Sequence, residues 1–416
     1  MDYFGHNSGD DSRALLLAVY RTALAAVEGR RCVSAGLAQR PLPGPVYAVA
    51  LGKAAASMLD GALDALGDQL RRALLVTKRG HAPARVDPRI EVQEAGHPIP
   101  DAASLAAGQR LLDFLATVPV DAGWLFLISG GASSLVEVLP DGVELPEVQR
   151  LNAWLLASGL PIEQINLVRQ AVSRIKGGRL LNHLSAGTVH ALFISDVPGD
   201  DPSIIGSGLL HRSSSATAMP QLPSEFAAMS NSQAAVAPLA ASHVETQIVA
   251  NLDQALAAAQ QAAAREGLPV HLHPVRLSGD ATEVGRRLAR ELLDGMPGVH
   301  LWGGETTVAL PERPGQGGRC QQLALAAAEI LDGYTDIVLL AAGTDGNDGP
   351  GESAGACIDA ETVLRGRHAG LDSRRALADA DAGRFLEAAG DLIETGPTGT
   401  NVTDLVLALK MNSGVL

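Results

Sequence analysis

Short apolar runs alternate with amphipathic stretches along most of the chain. Val46–Leu51, Trp124–Ile128 and Ile337–Ala342 are continuous apolar segments, and Val189–Ile194 is apolar but for His190; all break into Gly, Ser, Thr or Asp. That pattern reads as buried strands. Ala73–Thr77, Ile90–Gln93, Gln247–Ala250, Val270–His273, Val299–Trp302 and Thr306–Leu310 read as further strands. Helical spacing covers residues 12–28, a stretch from Gly52-Lys53 to about Leu66, and one from Asp101 (as N-cap, after Pro100) to about Ala116. It returns over 144–185 in two or three pieces, then in Leu252–Arg265, Thr282–Leu293, Gln321–Leu331 and short helices to about Ala389. Residues 211–243 are rich in Ser, Ala, Pro and Gln with weak periodicity, and read as the end of one domain and a connection. Strands alternating with helices imply parallel βαβ units. The expected fold is α/β: a Rossmann-like parallel sheet over 1–240 and a smaller α/β domain over 241–416.

The length supports two domains, since 416 residues exceed one ordinary core. Apolar residues make up 46% but aromatics only 3%, so Ala, Leu, Val and Ile must do the packing. A formal net charge of −14 argues against non-specific nucleic-acid binding and against docking on anionic membranes. An anionic metabolite still fits if Lys and Arg concentrate in one place. Cys32, Cys320 and Cys357 are far apart and form no zinc or disulfide pattern. The polar, acidic stretch Met1 to Asp11 does not read as a signal peptide, and no apolar run is long enough to span a membrane. A soluble cytoplasmic protein is expected.

Candidate chemistry lies in five strand-end segments. These are Leu51-Gly52-Lys53, Ser129-Gly130-Gly131-Ala132-Ser133-Ser134, Ser195-Asp196-Val197-Pro198-Gly199-Asp200-Asp201, Gly303-Gly304-Glu305-Thr306-Thr307 and Gly343-Thr344-Asp345-Gly346-Asn347-Asp348-Gly349. Each alone reads equally as an Asp/Asn/Gly turn. A parallel sheet would bring such loops to one edge, where α/β proteins place ligands. Glycines there admit backbone N–H groups to phosphate oxygens, and carboxylates hold Mg²⁺ or accept a proton. Cations fall in two places: Lys53, directly after a strand, and the group Arg169, Arg174, Lys176 and Arg179. The first reads otherwise as a surface lysine, the second as a solvated helix face. Standard signatures fail. Gly52-Lys53 has Tyr47 and Ala54 where a Walker loop needs Gly and Ser or Thr. Gly349, Gly351 and Gly355 are spaced one residue too wide for a dinucleotide turn, and Gly351-Glu352-Ser353-Ala354-Gly355 lacks the strand a nucleophile elbow requires. His97, between Gly96 and Pro98, reads as a turn or packing residue more than as a base.

Taken together, these stretches resemble the glycerate 2-kinase family, the two-domain class with a leucine-rich C-terminal module. The matching segments are 48–55, 96–101, 128–135, 175–180, 194–208, 303–308, 342–350 and 396–402, in order over nearly the whole chain. The resemblance implies ATP-dependent phosphorylation of D-glycerate, at the 2-hydroxyl, with the active site in a cleft between the domains and with ATP and Mg²⁺ as cofactors. It implies that Lys53 contacts the transferring phosphate or the glycerate carboxylate, that Arg174 and Lys176 hold carboxylate and phosphates, and that Ser129, Gly130, Gly131 and Ser133 lie near the substrate. On this reading Gly303, Gly304, Glu305, Thr344, Asp345 and Asn401 lie near the nucleotide, Asp196 contacts Mg²⁺ or orients the substrate hydroxyl, Glu305 and Asp345 are the next carboxylates for Mg²⁺, and Lys53, Asp196 and Arg174 are the catalytic residues. Partners would be glycerate and ATP, with no nucleic acid and no membrane; a homodimer is left open. The sequence departs from the family where Gly317-Gly318-Arg319 is followed by Cys320-Gln321-Gln322 in place of Asn-Gln-Glu, and at Thr403, where Asn is common. Two other readings stay open: an NAD(P)H-dependent hydroxypyruvate reductase, as some members are labelled, and a non-catalytic metabolite-binding homologue.

Overall fold

A computed structural model of the chain describes residues 9–120, 122–184, 188–212, 217–230 and 243–412. These divide into two compact units. One holds Glu28–Asn251 and Gly399–Asn401; the other holds the described residues up to Val27, Leu252–Thr398, and those from Val402 onward. The expected cut after residue 240 falls outside the described residues, as do 213–216 and 231–242 of the connection; Ser224–Ser230 within it is a helix. No helix among the described residues is long and apolar enough to cross a membrane.

The first unit is built on six strands: β1 (Val46–Leu51), β2 (Leu70–Lys78), β3 (Ile90–Ala95), β4 (Gly123–Ile128), β5 (Val189–Ile194) and β6 (Val244–Ala250). Their order is β3-β2-β1-β4-β5-β6, and every pairing is parallel. Strands β1, β4 and β5 are almost wholly buried, which is why they read as apolar runs, interrupted in β5 at the half-buried His190. Leu51, Trp124, Phe126 and Phe193 share a core with Leu111 and Phe114 of helix Ala102–Ala116. That helix starts as expected: the Asp101 carboxylate accepts the Ser104 N–H at 3.0 Å, and the Ser104 hydroxyl accepts the Asp101 N–H at 3.0 Å. Such a cap contributes about 1 kcal/mol. A satellite core of Leu151, Leu155, Val168 and Phe226 joins helices Leu145–Ala157, Ile162–Ala171 and Ser224–Ser230. Strand β6 is the edge of this sheet, so a stretch the sequence assigned to the second domain completes the first.

Strand order reverses between β1 and β4. Chains leave that point toward opposite sides of the sheet, opening a crevice at the strands' carboxyl ends. Gly52-Lys53 and Ser129-Gly130-Gly131 are the two loops that leave there.

The second unit is the smaller α/β domain, and its sheet is mixed. Its strands are β7 (Val270–Leu272), β8 (Gly298–Gly304), β9 (Ile337–Gly343), β10 (Gly355–Ile358), β11 (Leu392–Ile393) and β12 (Asp404–Lys410), ordered β11-β10-β9-β12-β8-β7. Strand β12, the last in the chain, inserts between β8 and β9 antiparallel to both, and β10 is antiparallel to β9 and β11. Only β7 and β8 pair in parallel. Asp404 sits opposite both Gly304 and Gly343, so the ends of β8 and β9 and the start of β12 share one edge. Thr306–Leu310 is not a strand; within it Thr307 makes a lone bridge to Asp280. Helix Gly9–Ala26 packs in this unit, where the Tyr20 hydroxyl donates to the Gly343 carbonyl at 2.7 Å.

Candidate active site

At the switch point of the parallel sheet, backbone hydrogen bonds lock two loops together. The Ser129 N–H donates to the Leu51 carbonyl at 2.9 Å, and the Lys53 N–H donates to the Gly130 carbonyl at 2.9 Å. The buried Ser129 hydroxyl accepts the Ala54 N–H at 3.0 Å. Gly52 has φ +126°, and a Cβ there would press on the Ser129 hydroxyl and carbonyl. Ser129 therefore braces the loops.

Gly130 occupies a slot that a side chain would fill. A Cβ there would overlap the Asn401 amide and the Asp196 carboxylate, which hydrogen-bond each other at 3.0 Å. Asn401 thus comes from 205 positions further along the chain to hold Asp196 at the end of β5. On the other side, a Cβ on Gly131 would lie 3.0 Å from His97 Cδ2 and 3.3 Å from Lys53 Cγ. Lys53, His97, Asp196 and Asn401 thereby surround one glycine pair.

A pocket of about 200 Å³ opens beside them, lined by His97, Gly131, Ser133, Arg169, Asp196 and Ser207 among others. Ile162, Asn166 and Arg169 also line it, spaced i, i+4, i+7, so one face of helix Ile162–Ala171 forms a wall. Ser207 has φ +59°, an uncommon conformation for a residue with a side chain. It aims its hydroxyl at Asn166 Oδ1 at 2.8 Å, and Ser133 Oγ lies 2.7 Å from Ser207 Oγ. Since Ser207 gives its one proton to Asn166, Ser133 donates to Ser207 and keeps its lone pairs as acceptors.

The remaining basic group separates. Lys176 is 2% exposed and ion-paired with Glu137, itself 1% exposed. Burial pushes the Lys176 amine below its ordinary value, against the pull of Glu137. The Lys176 ammonium is thus engaged by Glu137 inside the protein. Arg174 is exposed and does not line the pocket. Arg179 donates to the carbonyls of Gln170, Ser173 and Lys176, closing the turn beneath.

In the second unit the shared edge of β8, β9 and β12 carries a dense charge cluster. Arg319 grips Asp404 with two bonds of 2.6 and 2.8 Å and meets Glu305 at 3.1 Å. Burial works against the Arg319 charge, but Asp404 and Glu305 outweigh it and hold its pKa above the ordinary value. Asp348 accepts the N–H groups of Cys320 and Gln321 at the start of helix Arg319–Leu331. Its own burial, then the charge of Asp404, lift its pKa to about 7. Asp345 is buried and accepts the Asn347 N–H at 3.0 Å. The Thr344 hydroxyl donates to the Thr403 carbonyl and accepts the Val402 N–H, and its N–H goes to the same carbonyl. Gly303 and Gly304 are buried strand residues, and the Glu305 N–H is taken by the Leu277 carbonyl at 3.0 Å.

Among the described residues no three His, Cys, Asp or Glu gather as a ligand set for a metal.

His97, Asn166 and Ser207 line this pocket although the sequence did not mark them as candidates; Arg169, which also lines it, belongs to the basic group the sequence singled out.

A doubly wound sheet with a polar pocket at its switch point is the arrangement of small-ligand α/β proteins. Residues 15–239 match the domain of unknown function DUF4147, and residues 298–404 match the MOFRL family. A D-glycerate 2-kinase of Thermotoga maritima is 35% identical over 95% of this chain and 98% of its own. The crystal structure of glycerate kinase from Thermotoga maritima superposes with a TM-score of 0.81 at 34% identity, covering 97% of this chain and 100% of that one. A relative from Agrobacterium vitis, 36% identical over 95% of this chain and 93% of its own, carries the provisional name hydroxypyruvate reductase. The chain belongs to the glycerate kinase family.

Proposed function

We propose that this protein is an ATP-dependent kinase that phosphorylates D-glycerate at the 2-hydroxyl to give 2-phosphoglycerate. One observation carries the reading: Lys53, His97 and Asp196 converge on the Gly130-Gly131 turn, at the mouth of a small pocket on the switch point. A pocket of about 200 Å³ suits a metabolite of a few heavy atoms. Phosphoryl transfer asks a protein for in-line positioning and for cancellation of charge on the transferred group. Lys53 supplies a positive charge for the transferring phosphate. Asp196, aimed by Asn401, orients the acceptor hydroxyl or contributes one carboxylate oxygen to Mg²⁺. Mg²⁺, when bound, neutralises charge on the nucleotide phosphates. Ser133, left with acceptor lone pairs, takes a proton-bearing hydroxyl of the substrate. Gly303, Gly304, Glu305 and Asp345 are assigned to the nucleotide, with Asp345 and Glu305 as further carboxylates toward Mg²⁺. The protein acts in the cytoplasm.

Release of ADP that depends on both D-glycerate and MgATP tests the activity, and phosphorus NMR of the product distinguishes the 2- from the 3-phosphate. Oxidation of NADH by hydroxypyruvate without ATP would instead support the reductase. Glycerate-induced thermal stabilisation without ADP release would support a non-catalytic binder.

A further inference from the structure

We infer that Arg169 is the clamp for the substrate carboxylate, and that the buried Lys176–Glu137 pair keeps its charge available for that task. This deepens the kinase reading and rests on it. Two surface features usually expected of a ligand-binding cation are absent from Arg174 and Lys176: one is exposed away from the pocket, the other is sealed in an ion pair. Arg169 instead lines the pocket itself.

Its orientation is over-determined. The Asn152 amide donates to the Val148 carbonyl at 2.9 Å, which turns its oxygen outward. That oxygen accepts the Arg169 Nε–H at 3.1 Å. With Nε engaged, the two terminal nitrogens remain as a fork of the kind that matches a carboxylate in two parallel bonds. The pocket's other polar lining, from His97, Ser133, Asn166, Asp196 and Ser207 among others, suits the hydroxyls of a hydroxy acid, and Arg169 is the one Arg or Lys among these lining residues.

The charge balance explains the pair behind it. Glu137 interacts with both Arg169 and Lys176. Two cations and one anion leave a net charge of one on this side of the pocket. Glu137 bonds Lys176 directly, so the surplus stays with Arg169. Remove Lys176, and Glu137 is left to neutralise Arg169, although Lys176 never touches the ligand. Lys176 and Glu137 are in this sense positioning residues.

The test is steady-state kinetics on the full chain with D-glycerate and MgATP, with thermal denaturation of each variant. Arg169→Gln is expected to raise KM for D-glycerate at least thirtyfold while kcat changes less, and Arg169→Lys to recover part of the loss. Lys176→Met is expected to raise KM at least tenfold, and Lys176→Met combined with Glu137→Gln to return it to within threefold of wild type. A KM within threefold of wild type for Arg169→Gln would overturn the inference. So would a double variant that folds yet keeps the defect of Lys176→Met, because packing rather than charge would then be at stake. Should Lys176→Met not fold, Arg169→Gln and Arg169→Lys decide alone. A wild type that releases no ADP with D-glycerate would overturn the kinase reading itself, a result separable from an active wild type with an indifferent Arg169.

Discussion

The carboxyl edge of the parallel sheet and the corresponding edge of the mixed sheet carry similar sequences and treat them differently. Both end apolar strands in Gly with Ser, Thr or Asp. In the parallel sheet the backbone secures the turn: Ser129, Gly52 and Gly130 are consumed in loop-to-loop bonds and close approach, while His97 and Arg169 line a pocket and Lys53 lies beside Gly131. In the mixed sheet the side chains secure it: Arg319 is shared by Asp404 and Glu305, Thr344 is tied to Thr403, and Asp348 caps a helix. A Gly-rich strand end therefore signals a tight turn, and only the partners of its polar groups tell whether it serves a ligand or the fold.

The sharpest way to break this contrast is Lys53→Ala. If Lys53 faces the reaction, its loss should lower kcat by on the order of 10²–10³, read as glycerate-dependent ADP release, with little change in melting temperature. Activity within a few-fold of wild type would remove Lys53 from the active centre. Next comes Arg319→Met, which leaves the carboxylate of Asp404, 5% exposed, without its counter-ion. A buried pair broken on one side costs roughly 3–5 kcal/mol; the Arg319 side chain is 29% exposed, which discounts this to roughly 2–3 kcal/mol. Urea denaturation checks it, and adding Asp404→Leu should recover part of the loss. Gly130→Ala forces a methyl group between Asn401 and Asp196. Overpacking of this kind costs about 1–3 kcal/mol, and the displaced Asp196 should weaken turnover as well. An alanine variant with wild-type kinetics would show that Asp196 need not sit where Asn401 holds it.

A further effect is a pH dependence. Burial lifts Asp348 from 3.8 to about 7. Between those values the folded protein holds a proton that the unfolded chain has released. The contribution is fully present below 3.8 and is lost as pH rises through about 7. Asp348→Asn should flatten this slope in denaturation curves measured between pH 4 and pH 8, while wild type loses stability over the lower part of that range. An unchanged slope would mean that the carboxyl is not held protonated.

Much of the parallel unit was legible because its information is local. Unbroken apolar runs mark doubly covered strands, and Asp101 with Ser104 marks a helix start within three residues. The switch-point loops follow from the strands that feed them. The mixed sheet was illegible for the opposite reason. Strand β12 pairs with β8 and β9 across long stretches of chain, and nothing within Asp404–Lys410 shows that it enters antiparallel. The partner of Lys176 was not legible, because it is Glu137, 39 positions away. His97 was read as a turn residue because its neighbours in sequence are Gly96 and Pro98; its neighbour in space is Gly131. Side-chain roles depend on such distant partners, whereas strand and helix limits mostly do not.

The tripeptide Gly399-Thr400-Asn401 belongs to the parallel-sheet unit although it is encoded far downstream of the rest of it. There the Gly399 carbonyl receives the Gly29 N–H at 3.0 Å, and Asn401 steadies Asp196. A shortened clone ending at residue 251 would thus carry every strand of its sheet and still lack a finger that the aspartate leans on. Selection cannot trade either half of this gene for a foreign module without also rewriting those three codons.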